Sequence, residues 1–172
     1  LGKTFDIHGG GLDLLFPHHE NEIAQSCANN STDILANYWV HNGFLTMNKE
    51  KMSKSLGNIE TISEALGKYN GQVIRLALLS AHYKQPLDWS NNLLVESKAT
   101  LEKWYELYDE AENKIDNSEI FSCLLDDLNT PKYFAKLHEL YNVASKGDKI
   151  KRLEFNDACR LIGIFNQKKD VL

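Results

Sequence analysis

The sequence predicts an α/β region followed by an all-α region, with the boundary near residue 90. Residues 1–90 mix glycines, aromatic residues and β-branched residues with short helical patches. Beyond that point, apolar residues recur at three- and four-residue steps, which is typical of helices that bury one face. We therefore expect two domains, 1–90 and 91–172.

The first predicted element is a short strand over residues 4–8. Its polar and apolar residues alternate weakly, and it runs into a tight loop at the glycine triplet 9–11. Pro17 lies where a helix can begin, because proline suits the first helical turn. The predicted helix covers residues 17–27.

The rest of the first region alternates extended and helical patterns. Residues 38–47 are rich in strand formers. A polar, lysine-rich loop over residues 48–58 follows, and then two helices over 61–69 and 72–83. This mixture is the basis of the α/β prediction.

The second region is predicted to form an antiparallel bundle of about four helices. Asn129, followed by Thr130 and Pro131, is a helix-start signal, since a capping residue precedes a proline in the first turn. Three apolar stripes support the bundle. They consist of Leu101, Trp104, Tyr105, Tyr108, Ala111 and Ile115; of Phe134, Leu137, Leu140, Tyr141 and Ala144; and of Ile150, Leu153, Ala158, Leu161, Ile162 and Phe165.

The composition indicates an ordinary globular chain. Of its 172 residues, 42% are hydrophobic and 25% are charged, and no apolar run approaches the ~20 residues of a membrane span. The net charge of −5 argues against a simple basic surface for nucleic acid. Cys27, Cys123 and Cys159 form no CxxC pair, which favours buried thiols in a reducing cytosol. Because the chain begins without an initiator methionine, we expect a segment of a longer protein.

The glycine triplet lies between His8 and Asp13. Glycines let the backbone approach a ligand closely, and at the end of a strand this is where α/β sheets bind nucleotides. An aspartate just beyond can accept hydrogen bonds from ribose hydroxyls. Two alternatives stay open: a plain glycine turn with a capping aspartate, and the oxyanion loop of a hydrolase. The sequence contains no G-x-S-x-G nucleophile elbow for the latter.

His18 and Glu22 are four residues apart, so they share a face of the predicted helix. An imidazole nitrogen and a carboxylate oxygen are normal zinc ligands, but zinc needs at least three ligands from the protein. The alternative is a polar helix face with a His–Glu hydrogen bond.

The lysine loop, residues 51–55, contains two lysines and two hydroxyls. Lys51 and Lys54 can neutralise charge on the β- and γ-phosphates of a nucleotide, and Ser53 and Ser55 can add hydrogen bonds. By composition alone this could also be a solvated surface loop.

Residues 51–55 spell KMSKS, the second signature of class I aminoacyl-tRNA synthetases. Residues 5–22, FDIHGGGLDLLFPHHENE, closely resemble the corresponding part of cysteinyl-tRNA synthetases. The resemblance continues through Tyr38-Trp39, His41, the octapeptide KMSKSLGN and residues 80–83. Residues 126–131 look like a helix start in that family's helical domain. The resemblance covers essentially the whole chain.

The resemblance implies the second half of a Rossmann-like nucleotide-binding domain with its KMSKS loop, followed by a tRNA-contacting antiparallel helical bundle. It also implies roles for individual residues. They are zinc ligation by His18 and Glu22, ATP binding by Lys54 with Lys51, Ser53 and Ser55, ribose contacts by Gly10, Gly11 and Asp13, and lining of the amino-acid pocket by His8.

The implied chemistry has two steps. The carboxylate of L-cysteine attacks the α-phosphorus of ATP, with Mg²⁺, and the acyl group then moves to cysteine tRNA. Zinc would select the thiol, since a thiolate is a better zinc ligand than a hydroxyl. We further expect a cytoplasmic monomer without membrane contacts.

Two features of the family are absent from the sequence. It contains neither the HIGH signature nor the two cysteines that complete the family's zinc site. We therefore expect this chain alone to be inactive. Two rival hypotheses are the cysteine ligase of mycothiol synthesis, which makes the same adenylate, and a non-catalytic helical interaction module. The intact KMSKS loop favours the synthetase over both.

Overall fold

The computed structural model describes residues 2–47, 49–52, 57–110 and 118–165. The chain divides into two compact units. The first comprises Leu1–Leu45 with Tyr83–Leu87, and the second comprises Thr46–His82 with Asp88–Leu172. The boundaries of these units differ from those of the predicted domains 1–90 and 91–172, and that division into functional domains stays a prediction.

The first unit contains a pair of parallel strands, β1 (Phe5–Gly11) and β2 (Ala36–Asn42). Their register places Phe5 opposite Ala36 and Gly11 opposite Asn42. The expected loop at the glycine triplet is wrong, because these three glycines continue β1. Hydrogen bonding to a neighbouring strand extends the strand through residues whose own propensity favours a turn.

Between the two strands lie a 3₁₀ turn (Leu12–Leu14), a one-turn π-helical segment (Leu15–His19) and helix α1 (Glu20–Asn30). The sequence predicts a helix from residue 17, but regular α-helix begins at Glu20. Phe16 is extended, with φ −140° and ψ 135°, so the preceding residues cannot join a regular helix. The helix ends at Ser31, whose left-handed backbone has φ 51°.

The second unit begins with short strands. β3 (Leu45–Met47) pairs antiparallel with β4 (Glu50–Lys51), and β5 (Leu87–Asp88) lies on the other side of β3. The chain passes from one unit to the other within β3 and again within β5. Helices α2 (Ile62–Leu66) and α3 (Gly71–Leu79) match the two helices predicted for this stretch, although both are shorter.

The helical part contains α4 (Asn91–Trp104), α5 (Ser118–Leu125), α6 (Thr130–Ala144) and α7 (Lys149–Leu161). Asn129 caps α6 as predicted, since its side-chain oxygen accepts a hydrogen bond from the Lys132 N–H at 3.1 Å. The core of this unit includes the fully buried side chains of Trp104, Leu137 and Phe155.

The predicted apolar stripes are partly wrong in the last helix. Ile150 is 65% exposed and Leu161 is 50% exposed. Steps of three and four residues from Phe155 lead to Ala158 and Cys159, which are buried, whereas Ile150 and Leu161 lie off that face. Two predicted stripe residues, Ala111 and Ile115, lie outside the described residues.

The cysteines behave largely as small core residues. Cys123 and Cys159 are buried, Cys27 is partly exposed, and all three are free thiols. Burial raises the pKa of the Cys159 thiol well above its usual value. Among the helices that the structure describes, none is long and apolar enough to cross a bilayer.

Candidate metal and nucleotide site

The carboxyl-terminal part of β1 lies beside β2 and presents His8 to a group of aromatic rings. The parallel register pairs His8 with Trp39 and Gly10 with His41. The His8 ring lies 4.6 Å from the Trp39 ring and 4.8 Å from the His19 ring, which meets it edge-on. Two strands and the segment that follows β1 thus bring together side chains that are far apart in sequence.

Gly10 allows the backbone of β1 to approach His19. A Cβ atom at position 10 would lie 2.8 Å from Cε1 and 2.9 Å from Nε2 of the His19 ring, closer than real Cβ contacts. At position 11 a Cβ would collide with the carboxylate of Asp13. Gly10 is therefore required by its close contact with the buried His19 ring, whereas the exposed Asp13 carboxylate that lies against Gly11 can move aside.

Glu22 lies between two histidines. Its Oε2 is 3.0 Å from His8 Nε2, and its Oε1 is 3.5 Å from His18 Nε2. The second contact is the predicted i, i+4 pair at the start of α1. Glu22 Oε2 is buried, yet it accepts no hydrogen bond of regular geometry from the described residues. A buried carboxylate oxygen without such a donor is costly unless a cation neutralises it.

The donor atoms around Glu22 suit a zinc ion. Two ligand atoms at about 2.0–2.2 Å from a tetrahedral zinc are about 3.3–3.6 Å apart, and His18 Nε2 and Glu22 Oε1 have that spacing. Potential ligand atoms of His8, His19 and Glu22 also lie within 4.8 Å of one another. The residues present therefore fit a metal, with Glu22 common to both groupings.

His19 is a buried member of this cluster that the sequence analysis did not assign. Only 2% of its surface is exposed, and its Nδ1 lies 2.9 Å from His41 Nε2. Burial, followed by the neighbouring imidazole of His8, lowers the pKa of His19, while Glu22 opposes the shift. His19 is therefore held neutral, the form that can ligate a metal. Its place next to His18 could have suggested a role, but its burial depends on the pairing of β1 with β2.

A cavity of about 430 Å³ adjoins this cluster. It is lined by Phe5, His8, Glu22, Gln25, Ser26, Asn29, Asn30 and Leu35. The cavity thus meets the carboxylate of Glu22 and the His8 ring, and four of its six other lining residues have polar side chains.

The predicted phosphate-binding loop is only partly visible. Ser53, Lys54 and Ser55 lie outside the described residues, as does the side chain of Lys51, whose backbone pairs with Thr46. The flanks of the loop are described. A cavity of about 640 Å³ lies beside residues 57–60, which follow the loop. Its lining residues include Asn58, Glu60, Lys68, Tyr69, Trp89 and Asn91.

Sequence comparison places residues 1–99 in the family model described as "tRNA synthetases class I (C) catalytic domain". The chain is 56% identical over 171 residues to a cysteine–tRNA ligase of Pelagibacter ubique. It is 49% identical over 170 residues to a cysteine–tRNA ligase of Afipia carboxidovorans. Each alignment covers 99% of this chain but only 38% and 37% of the respective relative. The chain thus spans less than two fifths of the length of these relatives.

Two solved structures resemble the fold. One is the ternary complex of the Agrobacterium radiobacter K84 agnB2 LeuRS with tRNA and LeuAMS, with a TM-score of 0.65 and 18% identity over 91% of this chain and 24% of that one. The other is Mycobacterium tuberculosis methionyl-tRNA synthetase with methionyl-adenylate, with a TM-score of 0.54 and 15% identity over 91% of this chain and 40% of that one. At these identities the likeness concerns the fold alone.

Proposed function

The chain belongs to the class I (C) family of tRNA synthetase catalytic domains, and on that premise we propose that it is part of a cysteine–tRNA ligase. The observation that carries the proposal is the Glu22 carboxylate facing His18 and His8, in a chain 56% identical to such a ligase. The reaction is ATP-dependent activation of cysteine to cysteinyl adenylate, followed by transfer to cysteine tRNA.

In this proposal His18 and Glu22 hold a zinc ion, and His8 and His19 lie beside it. When bound, the zinc supplies coordination of the substrate thiolate, which a serine hydroxyl matches poorly. A hydrophobic pocket by itself discriminates weakly between such isosteres. The contact of His19 Nδ1 with His41 orients the His19 ring, as partners of metal-site histidines commonly do. Burial next to Trp39 and Gly10 then fixes that ring in one place.

ATP is assigned to the glycine segment and the lysine loop. Gly10, Gly11 and Asp13 contact the ribose, since a glycine has no Cβ to keep a ligand away from the backbone. Lys54 and Lys51, with Ser53 and Ser55, contact the β- and γ-phosphates, and Mg²⁺, when bound with ATP, would supply further neutralising charge. Positive charge placed at the departing pyrophosphate stabilises the transition state of adenylate formation. His8 lines the amino-acid pocket.

The finer architecture also belongs to the proposal. Residues 1–90 form the second half of a Rossmann-like catalytic domain with its KMSKS loop, and residues 91–172 form an antiparallel helical bundle that contacts tRNA. Because the chain has a net charge of −5, we propose that this bundle recognises tRNA chiefly by its shape. The protein acts in the cytoplasm as a monomer.

The test is cysteine-dependent ATP–pyrophosphate exchange with the full-length protein. We expect exchange with cysteine and little with serine. Glu22→Gln should lower kcat/KM for cysteine by at least about tenfold, whereas Glu20→Gln, an exposed carboxylate on the same helix, should stay within about twofold. Absence of exchange in the unmodified protein, or equal effects of the two variants, would contradict the proposal.

Metal analysis provides a second test that does not depend on activity. We expect stoichiometric zinc in the full-length protein and a substoichiometric amount in Glu22→Gln. The 172-residue chain by itself, which spans 38% of a relative, should show no exchange. Transfer of the cysteinyl group to an amino sugar rather than to tRNA would instead identify a cysteine ligase of mycothiol synthesis.

A further inference from the structure

The segment that carries the lysine loop starts at a strained turn held by Asp88. Lys49 has a positive φ of 68°, a conformation that non-glycine residues rarely adopt. Its backbone N–H donates to Asp88 Oδ1 at 2.6 Å, and the Thr46 hydroxyl donates to the same oxygen at 2.8 Å. One carboxylate oxygen thus joins β3, β5 and the turn from which the lysine loop departs.

The same segment ends at Glu60, which is held by the residue after Asp88. The indole N–H of Trp89 donates to Glu60 Oε2 at 2.7 Å, and Lys68 Nζ donates to Glu60 Oε1 at 2.6 Å. The Trp89 backbone N–H donates to the Thr46 carbonyl at 2.7 Å. Trp89 is only 6% exposed, so its indole is a well-packed support.

Both carboxylates accept charge-assisted hydrogen bonds. The N–H of Lys49, followed by the hydroxyl of Thr46, lowers the pKa of Asp88. Lys68, followed by Trp89, lowers the pKa of Glu60. Both groups are therefore ionised at neutral pH, and hydrogen bonds to ionised carboxylates are stronger than those between neutral groups.

We propose that Asp88 and Trp89 are positioning residues for the lysine loop, because this dipeptide fixes both ends of the segment between Lys49 and Glu60. The inference rests on the proposed function. The two contacts set where the chain enters and leaves the lysine loop. Placement matters for phosphate-binding groups, because a displacement of about 1 Å can change a rate by about a hundredfold. Neither Asp88 nor Trp89 contacts ATP in this proposal.

The kinetic test uses Asp88→Ala in the full-length protein. We expect KM for ATP in pyrophosphate exchange to rise about tenfold while KM for cysteine stays within about twofold. Asp88→Asn, which keeps an amide oxygen for both donors, should recover most of the loss. Trp89→Phe, which keeps an aromatic ring but removes the donor to Glu60, should raise KM for ATP more modestly. The matched control is Glu102→Ala, which removes a carboxylate from an exposed pair with Lys98 on α4.

Equal losses for ATP and cysteine in Asp88→Ala would show a general structural role and overturn the inference. Unchanged constants would overturn it as well, while leaving the proposed function intact. If the unmodified protein shows no exchange, the proposed function fails. Whether Asp88 holds this segment is then tested by amide hydrogen exchange of the peptide covering residues 45–60. Amide hydrogens of this peptide should exchange about tenfold faster in Asp88→Ala than in Glu102→Ala, and equal rates would overturn the inference.

Discussion

The two compact units differ in how their polar and apolar side chains are used. In the first unit, Leu35 and Ala36 are the only buried apolar side chains among the residues described, and Ile7, Phe16 and Tyr38 are largely exposed. The second unit has a continuous core around large buried rings.

The two units also differ in the hydrogen bonds that cap the starts of their helices. No side chain caps the start of α1, whereas side chains cap α2, α3, α4, α6 and α7.

This difference distinguishes the capping side chains of the second unit from the candidate metal-binding side chains of the first unit. In the second unit, asparagine, serine, threonine and aspartate side chains are committed to the backbone at helix starts. In the first unit, the imidazoles and the Glu22 carboxylate face one another instead. A polar group that supports no backbone atom is available to a ligand. The candidate metal site therefore lies in the unit with little core of its own.

The largest expected effect comes from the core of the second unit. Trp104 is 1% exposed and packs edge-on against Phe155, with ring centres 5.6 Å apart. Trp104→Ala should lower the free energy of unfolding by about 3–5 kcal/mol, measured by urea denaturation followed by circular dichroism. The matched control is Phe16→Ala in the first unit, an aromatic residue that is 77% exposed and should change stability by less than about 0.5 kcal/mol. Equal losses of unfolding free energy in Trp104→Ala and Phe16→Ala would show that the two units do not differ in this way.

A smaller effect is expected in the first unit, which has a close contact between Gly10 and His19 but few buried apolar side chains. Gly10→Ala would place a Cβ against the His19 ring and should cost about 1–3 kcal/mol. The His19 imidazole resonances should shift at the same time in NMR spectra. Gly9→Ala is the control, since its Cβ would meet the Val40 carbonyl oxygen at an ordinary 3.5 Å. Unshifted His19 resonances in Gly10→Ala would show that the ring is not held by this glycine.

The smallest effect tests the helix caps. Asn129→Ala removes the hydrogen bond to the Lys132 N–H and should cost about 1 kcal/mol in urea denaturation. Asn142→Ala, at an exposed position within the same helix, should be nearly neutral or slightly stabilising because alanine is the better helix former. A loss as large in Asn142→Ala would mean that general helix propensity, rather than capping, supports α6.

The parts of the fold that depend on local rules could be predicted from the sequence. The cap at Asn129, the apolar face through Leu101 and Trp104, and the strand-forming stretch around Trp39 all follow from spacing and propensity. The i, i+4 proximity of His18 and Glu22 is a local feature of this kind as well.

Features that depend on pairing between distant segments could not be predicted. The glycine triplet becomes a strand only because β2 lies beside it. His19 is buried only because β1 and β2 bring Gly10, His8 and His41 against it. Likewise, the contact between Asp88 and Lys49 joins residues 39 positions apart, for which no spacing rule exists. Long-range order of this kind is specified by packing rather than by neighbouring residues.

The discontinuity of the first unit affects the order in which the protein can fold on the ribosome. The Gly43 N–H donates to the Tyr83 carbonyl, and the Leu87 N–H donates to the Phe44 carbonyl. Both partners leave the ribosome only after the whole inserted segment 46–82 has been made. A nascent chain that ends before residue 83 therefore contains β1, α1 and β2 without these closing bonds. Completion of the first unit must await synthesis of α3, which belongs to the second unit, so synthesis of the second unit begins before the first unit is complete, unlike domains joined end to end.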